Sequence, residues 1–194
     1  MKYEKTVTLK DSRLCVLRNG TENDAQAVLD NFILTHKQTD YLATYPEEAS
    51  FTLEQEKDYL KKKEASEKEA ALIAEVDGVI VGTAGVDRLG SIEKVRHRAT
   101  FGISIDQAWW GLGIGRALTE ACIECARSAG YSQLELEVVE DNSRAVRLYE
   151  SEGFCEYGRN PKGMRSRQSG WQPVVLMRLE LNKASEGRHT VKSF

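Results

Sequence analysis

Three glycines within five positions, Gly111, Gly113 and Gly115, stand directly before a helix-like run in WWGLGIGRAL (109–118), with Arg116 beside the last of them. A helix N-terminus presents unpaired N–H groups and about half a positive charge. Removing Cβ atoms from its approach lets an anion reach those amides, so phosphate is the ligand this spacing suits best. A plain tight turn or close helix–strand packing would use the same glycines. The string is not a Walker A loop, and it is not a dinucleotide fingerprint, because Arg116 or Leu118 falls where the last Gly or Ala belongs. GISID (102–106) carries Asp106 where a nucleophile elbow needs its second Gly. The S-x-x-K match at Ser91 and Lys94 lacks companion motifs.

Metal and thiol chemistry find little support. Cys122 and Cys125 form a C-x-x-C, but they sit inside a helical pattern among alanines, as small buried thiols of a reducing compartment do. No second pair completes a zinc site, His36, His97 and His189 are scattered, and no metal is expected.

The elements that must position the glycine turn fit one domain. The chain has 194 residues, 41% hydrophobic and 29% charged, with a formal net charge of -3. That composition suits one soluble core and argues against bulk attraction to nucleic acid. No run approaches a membrane span, and the N-terminus lacks a signal-peptide apolar region, so no membrane partner and a cytoplasmic location are expected. Residues 6–9 and 13–17 read as a hairpin. Thr21 with Asp24, and Thr52 with Gln55, offer capping boxes that open two helices. The first should bury Ala25, Val28, Leu29, Phe32 and Ile33; the second, with only Leu53, Leu60 and Tyr59 apolar, should be mostly solvated. Asp77-Gly78 between β-branched runs predicts another hairpin. Strand 99–105, helix 113–129 and strand 132–139 make a βαβ unit with the glycines at its first strand's carboxyl end. A short helix at 142–153 and strands near 154–159 and 173–181 follow, then a tail, 182–194.

Residues 101–158 resemble the GNAT family, the Gcn5-related N-acetyltransferases, of the small bacterial type. The family's phosphate loop, [QR]-x-x-G-x-[GA], falls on WGLGIG (110–115), with Trp110 departing at the first position; EVVEDNSRA and LYESEGF follow at the family's spacing. The likeness extends over about residues 13–181. It implies one mixed α/β domain, 1–181, with a central sheet of about six to seven strands, flanking helices and a splayed fourth and fifth strand, here 99–105 and 132–139. It further implies acetyl-CoA as co-substrate and a primary amine, on a small molecule or a protein, as acceptor. Ile103, Ser104 and Ile105 would pair with the pantetheine arm. Gly111, Leu112, Gly113, Ile114, Gly115 and Arg116 would hold the pyrophosphate. Asn142 would meet the pantetheine or thioester and also suits a helix N-cap. Tyr149 matches the family's general acid, though its helix face also fits a packed core tyrosine. Glu137 matches the family base where it occurs on this strand, with Glu135 in reserve.

Two loops would wall the acceptor site. One, 38–51, carries Asp40, Glu47 and Glu48; the other, 158–172, carries Arg159, Lys162, Arg165 and Arg167. The first suits a cationic acceptor and the second an acidic one, and Tyr45 and Trp171 either line the pocket or pack. Two rival readings stay open: a GNAT-fold CoA-binding module without turnover, acting as sensor or scaffold, and a generic nucleotide-phosphate binder. No motif encodes a homodimer, which stays open as well.

Overall fold

Period-two alternation on either side of tight turns produces the strand pairs of this chain. The computed structural model describes residues 1–48 and 51–181, so the expected tail lies outside the described residues. Strands β1 (Glu4–Thr8) and β2 (Leu14–Asn19) form the opening hairpin. Strands β3 (Ala70–Val76) and β4 (Val79–Arg88) form the second, turning at Asp77 and Gly78 with φ of 50° and 78°, the doubly left-handed turn that Asp-Gly favours. Between the hairpins run α1 (Ala25–Gln38), entered through a short 3-10 turn at Glu22–Asp24, and α2 (Leu53–Ala65). Both capping boxes form; in α2 the Thr52 hydroxyl accepts from the Gln55 amide at 3.3 Å and the Thr52 amide donates to the Gln55 side chain at 2.8 Å.

Next come β5 (Arg98–Ile105), α3 (Ile114–Ser128), β6 (Gln133–Val139), α4 (Ser143–Ser151), β7 (Cys155–Ser166) and β8 (Gly170–Glu180). All eight strands join one sheet in the order β1-β2-β3-β4-β5-β6-β8-β7. The expected mixed α/β domain is observed, with eight strands rather than six or seven, because the opening hairpin pairs into the sheet through β2 and β3. The splayed pair is therefore the fifth and sixth strand. These are parallel, joined at only three positions, Arg98, Ala99 and Thr100 against Gln133, Leu134 and Glu135. Beyond Thr100, β5 pairs only with β4, and beyond Glu135, β6 pairs only with β8. A wedge opens between them.

The sheet is covered on both faces, which explains the near-continuous apolar run of β3. Leu72 and Ala74 belong to the main core under α3, whose Leu118, Ala121, Cys122 and Cys125 are buried against it. Ala71, on the opposite face of β3, packs with Ala25 and Leu60 of α1 and α2. A fully buried leucine of this kind is worth about 2–5 kcal/mol against truncation to alanine. The α1 stripe departs from expectation. Ile33 is exposed, and Val28, Leu29 and Phe32 are only half-buried because they wall a cavity instead of filling a core.

Candidate functional site

At the end of β5 the chain makes a 3-10 turn, Gln107–Trp109, and enters α3 through the glycine loop. Gly111 and Gly113 have φ of 87° and 105°, a region that residues with a Cβ pay about 1–2 kcal/mol to occupy. A Cβ on Gly113 would meet nothing within 4 Å. Gly115 serves differently: it is helical, and a Cβ there would press Leu148 at 3.3 Å and Ile105 at 3.5 Å, so it permits α3 to approach α4 and β5. Among the described residues, no backbone amide from 111 to 116 donates a hydrogen bond to the chain; the first to do so is Ala117, to the Gly113 carbonyl at 3.1 Å. Six consecutive N–H groups therefore stay available at a helix mouth.

Those amides border a cavity of about 330 Å³ beside the wedge. Its walls include Ile103, Ser104 and Ile105 of β5, Gly111, Gly113, Gly115 and Arg116 of the loop and α3, and Asn142 and Tyr149 of α4 and its cap. The fold thus gathers most of the expected donor-site residues, which lie up to 46 positions apart (103 to 149) in sequence. Leu112 and Ile114 do not line it: Ile114 is buried in the core, and the Leu112 carbonyl accepts from the Lys10 amide at 3.1 Å.

Asn142 caps α4 and also lines the cavity. Its Oδ1 accepts from the Ala145 amide at 3.3 Å, capping α4, while its side-chain NH2 has no chain partner among the described residues. Tyr149 is buried, its ring edge-on to Phe101 with centroids 5.8 Å apart and tilted against Phe154 at 5.9 Å. No chain group hydrogen-bonds its hydroxyl among the described residues. Burial, with a smaller contribution from Cys122, pushes its phenol well above the ordinary range, so it stays protonated.

Three charges fall differently from expectation. The Arg116 guanidinium turns to Glu152 and to the Ser151 hydroxyl, so its charge is engaged at the far end of α4. Glu135 is 5% exposed and bound to Arg98, with the Tyr157 hydroxyl donating to it at 3.3 Å; the guanidinium holds its carboxyl below the usual range. That pair clamps the vertex where β5 and β6 part. Glu137 lies on the diverging half of β6, exposed, and lines neither cavity. Trp110 fills the place where the family motif has Gln or Arg: its indole N–H donates to the Ile105 carbonyl at 2.8 Å, tying the loop to the end of β5.

A second cavity, about 480 Å³, lies between the sheet and α1 and α2 and meets the first at Leu42, Ile103 and Ser104. Sequence reasoning missed four residues here. Lys10 and Arg144 line the first cavity, with the Arg144 guanidinium 5.3 Å over the Trp110 ring and 4.0 Å from where a Gly111 Cβ would sit. His36 and Glu56 line the second. The signal for Glu56 was its register: Glu56, Leu60 and Lys63 form the buried face of α2.

The loops expected to wall the acceptor site bind each other. The stretch 158–172 is mostly a long β7–β8 hairpin turning at 167–169, because two bulges let β7 continue past Pro161. Arg167 pairs with Glu47, stacks 3.9 Å over Tyr45 and donates its amide to the Tyr45 hydroxyl at 2.7 Å. Asp40 accepts from Ser166 and Ser169, both at 2.8 Å. Arg159 pairs with Glu140 and Glu156, and Lys162 and Arg165 lie over an exposed Trp171. The two loops are thus joined by one ion pair, Arg167 with Glu47, and by hydrogen bonds to Asp40, and neither Tyr45 nor Trp171 lines either of these cavities.

The sequence model described as the acetyltransferase (GNAT) family matches residues 31–154. The mycothiol acetyltransferase of Thermobispora bispora is 35% identical over 127 residues, covering 59% of this chain and 39% of that protein. The chain thus spans about four-tenths of the length of that curated relative. A GNAT-family acetyltransferase from Streptococcus pneumoniae superposes with a TM-score of 0.82 at 26% identity, over 86% of this chain and 99% of that one. Salmonella typhimurium yncA, solved with its cofactor acetyl-CoA, shares the fold with a TM-score of 0.77 at 19% identity, over 88% of this chain and 96% of that one.

Proposed function

The chain belongs to the GNAT acetyltransferase family, and on that premise we propose that residues 1–181 form one acetyl-CoA-dependent N-acetyltransferase domain acting on a primary amine. The observation that carries the reading is the row of unpaired amides from 111 to 116, opening on a cavity that Asn142 and Tyr149 also line. Acetyl-CoA, when bound, supplies an acetyl group activated as a thioester. The amides of the glycine loop hold its pyrophosphate, helped by Arg144 and Lys10 in place of Arg116. The unpaired edge of β5 beyond Thr100, with the Asn142 side-chain NH2, orients the pantetheine arm.

Tyr149 gives its hydroxyl proton to the departing sulfur. Its protonated state suits that task, and the sulfur's conjugate acid resembles a thiol of pKa about 8.5. An acceptor ammonium, with an ordinary pKa of about 10.4, must lose a proton before its nitrogen can attack. Glu137, the carboxylate that matches the family base, is exposed on the diverging half of β6 and lines neither cavity, so it takes that proton through a chain of waters. Among the described residues no helix is long and apolar enough to cross a membrane, and Cys122 and Cys125 are free and buried. A cytoplasmic location, with no nucleic-acid partner at a net charge of -3, follows as part of the same proposal.

Calorimetry with acetyl-CoA and a CoA-release assay over an amine panel test the reading. Wild type should bind the donor and release CoA with at least one amine. Gly113→Glu, which sets a side chain and a negative charge in the open space before the amides, should abolish donor binding. Unchanged affinity in that variant refutes the site, and binding without CoA release on any amine leaves a non-catalytic module.

A further inference from the structure

The larger cavity contains one group that the donor site does not use. Glu56 is 5% exposed and lines that cavity, and its carboxylate has neither a hydrogen bond nor an ion pair among the described residues. An isolated carboxylate in apolar surroundings is unfavourable unless something pairs with it. The cavity it lines is walled largely by apolar and aromatic residues, among them Val28, Phe32, Phe51, Tyr59 and Leu60, with His36, Thr44, Glu48, Thr83 and Ser104 as its other polar members. Phe51 and Tyr59 stand with ring centroids 5.8 Å apart and give the cavity apolar surface, the Tyr59 ring already carrying Lys63 Nζ at 5.3 Å from its centroid.

Among the described residues no Lys or Arg lines this cavity. Lys63, one helical turn beyond Tyr59, is engaged by Glu69 and Asp87. The one imidazole, His36, donates its Nδ1–H to the Phe32 carbonyl at 2.7 Å and stacks on the Phe32 ring at 3.7 Å. Burial lowers its proton affinity, so it is neutral near pH 7. The second titratable carboxyl lining the cavity, Glu48, adds to the acidic side. The cavity therefore offers carboxylates and aromatic rings, and no positive charge for an acceptor's own carboxylate.

We infer that the acceptor is an amine with an apolar or aromatic body and no carboxylate, and that Glu56 determines this specificity by pairing with the acceptor's cationic group. The cavity volume of about 480 Å³ lies within the range of small-molecule sites and exceeds what a short amine alone would fill. Its junction with the donor cavity at Leu42, Ile103 and Ser104 makes the space beside Glu56 continuous with the donor's, so an amine that first pairs with Glu56 has a path to the donor. This assignment rests on the acetyltransferase reading for its direction of approach, but the binding it describes does not require the donor.

Matched ligands test it. Phenethylamine and phenylalanine differ by one carboxylate, and their binding to the full chain is measured by calorimetry with and without CoA. Phenethylamine should bind at least about tenfold more tightly, because a like charge beside Glu56 is costly to bury. Glu56→Gln, close in shape and free of the buried charge, should weaken phenethylamine by about thirtyfold, as loss of one partner of a buried charge pair does, while leaving acetyl-CoA affinity unchanged. Equal or tighter binding of phenylalanine, full phenethylamine affinity in Glu56→Gln, or no phenethylamine binding to wild type would each overturn the assignment. If acetyl-CoA fails to bind while the amine discrimination holds, the transferase reading falls and this one stands. If the donor binds and turns over with phenylalanine in preference, the reverse is true.

Discussion

Replacing Tyr149 by phenylalanine separates the two roles its position allows. The ring is 7% exposed, and its contacts with Phe101 and Phe154, at centroid distances of 5.8 and 5.9 Å, survive the change. The hydroxyl has no chain partner to lose. A structural tyrosine would forfeit a hydrogen bond worth about 0.5–1.5 kcal/mol. Here the variant should stay within about 0.5 kcal/mol of wild type, since among the described residues the hydroxyl has no chain partner and it opens on the cavity. Turnover should fall about a hundredfold, or roughly 2.7 kcal/mol, with donor affinity unaltered. The pH dependence has a definite sign. Burial raises the phenol's pKa, so its contribution to stability is complete below the ordinary value of about 10 and is lost as pH rises above it. The phenylalanine variant should therefore show a shallower alkaline loss of stability. Urea denaturation from neutral to strongly alkaline pH, calorimetry with acetyl-CoA, and CoA-release rates supply the three readings. Destabilisation by more than about 1 kcal/mol would return Tyr149 to the core, and turnover within twofold of wild type would remove its acid role.

Arg144→Ala should weaken acetyl-CoA about tenfold and flatten the salt dependence of its binding, whereas Arg116→Ala should change affinity less than twofold, because Glu152 and Ser151 already hold that guanidinium. Calorimetry at two ionic strengths decides, and the opposite ranking would restore Arg116 to the pyrophosphate. Glu135→Gln should cost about 1–3 kcal/mol by leaving Arg98 short of its carboxylate at the vertex of the wedge. Arg98 holds the Glu135 pKa down, so the stability it adds is present above about 4.3, the ordinary glutamate value, and lost as pH falls through the folded value. Urea midpoints from pH 7 down to acid should converge for the two proteins; parallel curves would contradict the assignment.

Much of the fold was legible in short stretches. The Asp77-Gly78 turn, both capping boxes and the apolar stripe of α3 follow from residues a few positions apart, and each forms as read. The failures share a cause. Residues 158–172 read as a loop because Gly158, Pro161 and Gly163 interrupt alternation, yet β8 pairs across two bulges and draws most of them into a strand. Ile33 read as core because its register suits a helix face, but the buried face of that helix is Ala25, Asn31 and Thr35, with Asn31 bonded to the Ile80 carbonyl of β4. In α2, Glu56 shares a helix face with Leu60, but it sits among charged neighbours, and the register alone does not reveal that its carboxylate enters a cavity.

The division at the candidate site follows the range of the forces. Sequence alone determined the glycine turn, because left-handed φ and the absence of Cβ are properties of single residues and their immediate neighbours. It therefore determined that bare amides open at the start of α3. Tertiary structure decided which charges remain free. Arg116 is engaged by Glu152, Glu135 by Arg98, and Arg167 of the basic hairpin by Glu47 of the acidic loop, while Arg144 and Glu56 keep no ionic partner among the described residues. Coulombic pairing and desolvation depend on distance through space, and the chain sets those distances only once distant segments have packed.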